Sequence, residues 1–284
     1  MQDAYSQIRY ETSGTAALIT LNRPDKGNAI SIRLGAELRH VLERAENDKD
    51  VVGIVITGAG KVFCAGADVE ELQQIGQSGG LGETGAKGAA DELDADPGDL
   101  EVPEGFRKGP YSYFTSISKP VIAAVNGAVA GAGLSIILSC DMRFFGQSGA
   151  VVSSFAKRGL TAELGIAWML QQMVGTDAAL DILWSSRKVR ADEAKALKLA
   201  TRVYADEDLV REAVAYIELL AEDCSPASIA AMKGQIYRDM FRDPTESFKE
   251  AHRMQKEALK TADFVEGINA FMEKRKPRFQ RIGK

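Results

Sequence analysis

Residues 51–69 read Val-Val-Gly-Ile-Val-Ile-Thr-Gly-Ala-Gly-Lys-Val-Phe-Cys-Ala-Gly-Ala-Asp-Val. The β-branched run over 51–57 predicts a buried strand, and the glycines and alanines that follow predict a turn. Small side chains let a ligand approach the backbone, so the N–H groups of this turn can point at a bound oxygen atom. The stretch therefore indicates a strand that ends at a binding edge.

A second strand is followed by a second turn of small residues. Residues 121–125 (Val-Ile-Ala-Ala-Val) predict the strand, and residues 126–133 (Asn-Gly-Ala-Val-Ala-Gly-Ala-Gly) open a helix that ends near Cys140. A helix N-terminus offers free N–H donors and partial positive charge. Two such turns can place two donors beside one carbonyl oxygen, which is an oxyanion hole. Either turn alone indicates close packing more often than catalysis, and neither has the Lys-Ser/Thr ending of a phosphate-binding loop.

Further strands at 17–21, 142–145 and 150–152 alternate with a helical pattern over 31–45, which predicts parallel βαβ units and an α/β fold. From residue 163 the pattern turns helical. We expect helices near 163–174, 177–186, 191–199, 207–223, 226–241, 244–261 and 263–274. We interpret residues 1–199 as the sheet-containing core and 200–284 as a helical region. Residues 76–105 are rich in glycine and acidic residues, so we expect a flexible loop there.

Composition excludes several classes of protein. The chain has 284 residues, 45% of them hydrophobic, and a net charge of −5, which is too apolar for a disordered chain. No apolar run approaches the ~20 residues of a membrane helix. The three cysteines form no CxxC motif, and His40 and His252 lie far apart, so neither a disulfide framework nor a metal site is expected. The N-terminus lacks a secretory pattern, and we expect a cytoplasmic protein without nucleic-acid or membrane partners.

Glu163 is the candidate acid-base residue. It lies within the stretch Lys157–Gly165, at the predicted start of a helix, with apolar neighbours on both sides. Its ordinary interpretation is a first-turn acid favoured by the helix dipole. It becomes a catalytic candidate only if its carboxylate faces the two small-residue turns. Because histidine is scarce, proton transfer would fall to such a carboxylate.

The order of these motifs resembles the crotonase superfamily, also called the enoyl-CoA hydratase/isomerase family. The resemblance covers roughly residues 8–280. The matching segments are Ile19–Pro24 with Asn28–Ile30, Phe63–Val69, Lys119–Gly127, and Glu266–Gly267 with Ala270–Arg275. It implies a spiral core of ββα turns and a C-terminal helical trimerisation region. It also implies homotrimers or dimers of trimers (homohexamers), and an acyl-CoA substrate in which coenzyme A is part of the substrate and no separate cofactor is needed.

The same resemblance assigns roles to individual residues. The N–H groups of Ala67 and Ala132 would bind the thioester oxygen and stabilise an enolate. The residues expected to line the substrate and coenzyme A are Asp25, Lys26, Gly27, Ala65, Asp68, Val69, Ser135 and Phe155, with Phe271 and Lys274 reaching a neighbouring subunit's coenzyme A. The basic end of the chain, residues 273–284, is either a solvated tail or a phosphate contact.

Two departures from the hydratase pattern leave the reaction open. Typical hydratases carry glutamates at the positions of Ser135 and Phe155, and neither replacement is an effective base. Glu163 matches a position that carries Asp or Glu in several isomerases and hydrolases of the family. The alternatives are an enoyl-CoA hydratase that uses Glu163 and a water, an enoyl-CoA isomerase with Glu163 as sole acid-base group, an acyl-CoA hydrolase, and a non-catalytic acyl-CoA binder. We expect a role in the degradation of fatty acids or related acyl-CoA compounds.

Overall fold

The larger of two sheets forms where the sequence is apolar and β-branched. The computed structural model describes residues 5–70, 73, 100 and 111–283. The six strands lie side by side in the order β1 (Ile8–Ser13), β2 (Ala16–Leu21), β3 (Gly53–Gly58), β5 (Val121–Val125), β7 (Met142–Gly146) and β10 (Arg202–Tyr204). β1 pairs antiparallel with β2, and the other pairs are parallel. Every residue of β3 and β5 is buried, as in a parallel sheet covered on both faces.

The smaller sheet is built from short strands that follow strands of the larger one. Its order is β4 (Val62–Cys64), β6 (Ala128–Ala130), β8 (Ala150–Val152) and β9 (Val189–Arg190). β4, β6 and β8 run parallel, and β9 is antiparallel to β8. The chain therefore passes from the larger to the smaller sheet three times, from β3 to β4, β5 to β6 and β7 to β8. This repeat is the expected ββα spiral, and the predicted α/β fold class is confirmed.

Nine α-helices lie within the described residues. They are α1 (Ile32–Asn47), α2 (Gly133–Ser139), α3 (Ile166–Val174), α4 (Thr176–Ser185), α5 (Ala191–Ala196), α6 (Leu209–Asp223), α7 (Pro226–Asp239), α8 (Pro244–Ala258) and α9 (Ala262–Glu273). Helix starts follow local chemistry, since the side chains of Ser31, Ser225, Asp243 and Thr261 accept backbone N–H bonds at their helix N-termini. In the described segments, no helix is long and apolar enough to cross a membrane.

The sheet is covered on both faces. The main core lies against α1 and includes Leu34, Leu38 and Leu42. On the other face, Leu209, Ala213 and Ile217 of α6 pack against strands β2, β3 and β5. β10 and α6 thus pack on the sheet although they follow residue 199, and the division into 1–199 and 200–284 stays an interpretation. The predicted loop 76–105 lies outside the described residues except for Leu100, whose N–H donates to the Ser116 carbonyl at 3.0 Å.

Asp141 joins α7 to the sheet. Its carboxylate accepts hydrogen bonds from the Val121 N–H at 2.7 Å, from the Lys233 ammonium at 2.8 Å and from the Tyr237 hydroxyl at 2.8 Å. The Lys233 side chain is only 7% exposed, so its charge depends on this partner. A buried ion pair is costly to break because the remaining charge is left uncompensated.

We predict that Asp141→Asn lowers the free energy of unfolding by about 3 kcal/mol, measured by urea denaturation. The matched control is Glu246→Gln, which removes an ion pair of 2.7 Å to Lys249 on the surface of α8. That variant is expected to change stability far less, because both partners remain in water. Equal effects of the two substitutions would contradict the prediction.

Candidate active site

The motifs singled out in the sequence meet at one edge of the smaller sheet. β4 ends at Cys64 and leads into residues 65–67, β6 ends at Ala130 and leads into 131–132, and β8 ends at Val152 and leads into 153–165. Because these three strands are parallel, their carboxyl ends lie at the same edge. That edge is where α/β proteins commonly bind ligands.

The first turn leaves the N–H of Ala67 free of backbone partners. The Ile30 N–H donates to the Gly66 carbonyl at 2.8 Å, and the Asp68 N–H donates to the Ile30 carbonyl at 2.9 Å. These two bonds, made by the residues on either side of Ala67, form a parallel bridge between Ala67 and Ile30. In such a bridge the N–H of Ala67 points away from Ile30. Among the described residues it donates to no backbone carbonyl.

The second turn lies directly against the first. Gly66 has φ +104°, and a Cβ placed on it would lie 3.0 Å from the Ala130 carbonyl oxygen and 3.5 Å from the Ala132 nitrogen. Ala132 immediately precedes α2, and its N–H, too, donates to no backbone carbonyl of the described part of the chain. Two N–H groups without backbone acceptors thus sit on backbones in close contact, which is the arrangement an oxyanion hole requires.

Cys64 fills the space beneath the two turns. A Cβ on Gly133 would lie 2.8 Å from the Cys64 Sγ and 3.0 Å from its carbonyl oxygen, so only glycine fits at the start of α2. Cys64 is fully buried, and burial raises the pKa of its thiol to about 11. A protonated thiol is a poor nucleophile, so Cys64 acts here by packing.

Glu163 lies outside α3, and the prediction that this helix starts at residue 163 is wrong. The helix starts at Ile166 and has no acidic residue in its first turn. Glu163 is exposed, and its carbonyl accepts the Ile166 N–H at 3.0 Å. The two residues between them, Leu164 and Gly165, are left-handed with φ +57° and +74°, as in a type I′ turn. A left-handed leucine costs roughly 1–2 kcal/mol. Because Leu164 and Gly165 are both left-handed, the helix does not extend back to Glu163.

The loop after β2 is joined to the first turn through Asn28. Its side-chain amide donates to the carbonyls of Ala59 at 2.9 Å and Val62 at 2.7 Å, and its Oδ1 accepts the Arg23 N–H at 2.9 Å. Asn28 is fully buried and left-handed, with φ +56°. Gly27 adds a contact by accepting the Ala65 N–H at 2.9 Å. The two loops expected to line coenzyme A therefore form one surface.

The comparisons with known proteins show the family to which this chain belongs. A family model described as enoyl-CoA hydratase/isomerase matches residues 11–91 and 104–282. This chain belongs to the enoyl-CoA hydratase/isomerase family. It is 35% identical to a probable enoyl-CoA hydratase of Rhodobacter capsulatus over 277 residues, which cover 97% of this chain and 98% of that protein. The match to a peroxisomal Delta(3,5)-Delta(2,4)-dienoyl-CoA isomerase of Arabidopsis thaliana is 26% identical and covers 97% of this chain and 96% of that protein. A solved enoyl-CoA hydratase from Bacillus anthracis superposes with a TM-score of 0.82 at 25% identity, covering 97% and 99% of the two chains.

Ser135 and Phe155, the two departures from the hydratase pattern, have structural roles in this chain. The fully buried Ser135 hydroxyl donates to the Ala132 carbonyl at 2.6 Å, which also accepts the Ser135 N–H at 3.0 Å. Phe155 is buried in the main core. Ser135 therefore stabilises the second turn, and neither residue can serve as a base. Among the residues that the structure describes, no cluster of three or more His, Cys, Asp and Glu side chains is placed to hold a metal ion.

The residues expected to bind coenzyme A fall into two groups. Asp68 is buried, and its carboxylate pairs with the Arg23 guanidinium at 2.7 Å. Lys26 forms an ion pair with Glu70, which raises the pKa of the lysine. Lys26 is exposed, as are Asp25, Ala65 and Val69. Arg23 and Asn28 support these loops. Sequence reasoning gave neither residue a role, because the partners of both are distant in the chain.

The C-terminal candidates are exposed in the single chain. Phe271 is 80% exposed, and Lys274 ends α9 in a left-handed conformation. The neighbouring bases are engaged, since Arg275 pairs with Glu266 and Glu273 and Lys276 pairs with Glu222. Within the described residues, the Lys274 ammonium has no ion-pair partner.

We predict that iodoacetamide at pH 8 modifies Cys224 in the folded protein and leaves Cys64 and Cys140 unmodified. Burial raises the pKa of all three thiols, but Cys224 is partly exposed to the reagent. Cys64 and Cys140 are fully buried, and the pKa of each is raised so far that neither forms thiolate at this pH. Peptide mass spectrometry before and after unfolding in urea measures the difference. Alkylation of Cys64 in the folded protein as fast as in urea would contradict the packing described here.

Proposed function

We propose that this protein is an enoyl-CoA isomerase with Glu163 as its sole acid-base residue. The observation that carries the proposal is the set of chemical groups at the edge where β4, β6 and β8 end. Two N–H groups without a backbone acceptor among the described residues lie at this edge, and the segment 153–165 that leaves it carries one acidic residue, the exposed Glu163. Buried Phe155 and Ser135 occupy the two positions where the family resemblance places the glutamates of hydratases. One carboxylate is enough to move a proton between two carbons, but hydration by two glutamates needs both.

The proposed step transfers a single proton. The thioester oxygen of a 3-enoyl-CoA accepts the N–H groups of Ala67 and Ala132, and Glu163 removes a proton from C2. The electron pair of the broken C2–H bond forms a double bond between C1 and C2, and the carbonyl electrons move onto the thioester oxygen. The resulting dienolate is conjugated with the double bond between C3 and C4, and each donor to its oxygen is worth about 3 kcal/mol. Glu163 then returns the proton to C4, and the double bond forms between C2 and C3. The step is redox-neutral and consumes no other atom, so it requires neither a metal ion nor a cofactor beyond the substrate's coenzyme A.

Hydration is the second candidate, because the Rhodobacter relative is named a probable enoyl-CoA hydratase. It would require Glu163 alone to activate a water molecule. Hydrolysis of the thioester and binding without catalysis have less support. A hydrolase also needs an activated water, and a pure binder has no need of an acid-base residue beside the two donors.

We further propose that coenzyme A lies along the surface formed by the loop after β2 and the first turn. There the exposed Ala65 and Val69 would contact its pantetheine and adenine.

In an assembled homotrimer or dimer of trimers, Phe271 and Lys274 of a neighbouring subunit would complete the site. What supports assembly is the apolar surface on α7–α9, where Ile236, Phe248, Phe264, Val265, Phe271 and Met272 are exposed. We also propose a cytoplasmic location, which the three free cysteines support, and a role in acyl-CoA degradation.

We predict that Glu163→Gln lowers kcat on a 3-enoyl-CoA by about 100-fold or more, because the amide cannot carry the proton. Growth of the conjugated enoyl absorbance measures isomerisation, and its loss from crotonyl-CoA measures hydration. Asp177→Asn, a change of an exposed acid at the start of α4, is the matched control and should leave both rates unchanged. An unchanged rate in Glu163→Gln would remove Glu163 from the mechanism.

We predict that Gly66→Ala lowers kcat/KM about 100-fold, since the added Cβ meets the Ala130 carbonyl and separates the two donors. Gly175→Ala is the control for backbone strain, because its φ of +83° is also left-handed and its Cβ meets nothing closer than 3.7 Å. Steady-state kinetics on the same substrate distinguish them. A similar loss in both variants would mean that general destabilisation, not the contact, lowers activity.

A further inference from the structure

Left-handed backbone is concentrated around the proposed active site. The described residues contain six non-glycine positions with positive φ, and Asn28, Ser154 and Leu164 among them lie in the loops that build the site. Such conformations persist only where surrounding structure holds them, and they cluster at functional positions. The segment after β8 has one near each end, at Ser154 and at Leu164, with Phe155 and Glu163 between them.

Leu164 differs from the other strained residues at the site. Asn28 offsets its strain with three side-chain hydrogen bonds, but a leucine side chain has no polar atom that could do so. Leu164 instead packs, half-buried, against the main core. Its neighbour Ile166 is fully buried, and the Ile166 N–H closes the turn onto the Glu163 carbonyl at 3.0 Å. The turn is therefore anchored through Leu164 and Ile166, while Glu163 stays exposed.

We infer that Leu164 is a positioning residue for Glu163. Its anchored side chain and left-handed backbone hold Glu163 exposed, ahead of α3 and in the segment that leaves the edge where Ala67 and Ala132 present their N–H groups. If Leu164 and Gly165 were both right-handed, α3 could begin earlier, as the sequence pattern predicts, and each added helical residue turns by about 100° around the helix axis. The Glu163 carboxylate would then face another direction. The inference rests on the proposed catalytic role of Glu163.

The experiment compares Leu164→Gly with Leu164→Met on a 3-enoyl-CoA. Glycine removes the anchor and frees the backbone, so kcat should fall about 10- to 100-fold while KM stays unchanged. Methionine keeps an apolar anchor and should retain kcat.

Lys198→Gly is the matched control, because Lys198 is exposed and left-handed with φ +63° in the segment between α5 and β10. It should leave kcat unchanged. If Leu164→Gly does not fold, Leu164→Asn replaces it, since asparagine accepts left-handed backbone but provides no apolar anchor.

A double-mutant cycle separates positioning from general destabilisation. In the Glu163→Gln background, Leu164→Gly should cause no further loss, because the group that it positions is already absent. The same fractional loss in both backgrounds would overturn the inference, as would full kcat in the Leu164→Gly single variant. If Glu163→Gln itself leaves the rate unchanged, the proposed function fails and the inference fails with it. An inactive Glu163→Gln beside a fully active Leu164→Gly would reject the inference alone.

Discussion

The approach of Gly66 to the turn after β6 is the contact on which the rest of the site depends. The Gly66 Cα lies so close to Ala130 and Ala132 that a single Cβ would strike the Ala130 carbonyl. This proximity places two backbone segments from distant parts of the chain side by side, each with an N–H that no backbone carbonyl among the described residues accepts. Cys64 below and the Ser135 hydroxyl behind hold the second segment in place. Donors fixed in advance stabilise developing charge without reorganising during the reaction.

A fixed pair of donors can serve several reactions of a thioester, so the acid-base groups nearby decide which one occurs. In the proposed isomerase, the two positions that the family resemblance assigns to the glutamates of hydratases contain Phe155 and Ser135, both buried and neither an effective base. The carboxylate proposed to carry the proton belongs to Glu163, which the left-handed turn at Leu164 and Gly165 leaves outside α3. In this proposal it is the lack of a second carboxylate, at Phe155 and Ser135, that favours proton transfer within the substrate over the addition of water.

Much of the fold was predictable because its signals are local. The strands at 17–21, 51–57, 121–125, 142–145 and 150–152 and most of the helical boundaries are confirmed, since buried parallel strands and capped amphipathic helices leave direct patterns. The strands β1, β4, β6, β9 and β10 escaped prediction. All but the six-residue β1 have only two or three residues and are too short to show a period. The start of α3 was placed three residues too early, because a left-handed leucine has no signature in the sequence.

The sequence alone determined the family and the position of the two small-residue turns, since both are a matter of residue type and order. Through the family resemblance it also predicted that Ser135 and Phe155 replace the glutamates of hydratases. The tertiary structure decided where these residues meet. It brought the three motifs to one edge of the smaller sheet, paired Asp68 with Arg23, and set Glu163 ahead of α3. These outcomes depend on contacts between residues far apart in the chain and on the left-handed turn at Leu164 and Gly165. Neither can be predicted from a local pattern of residues.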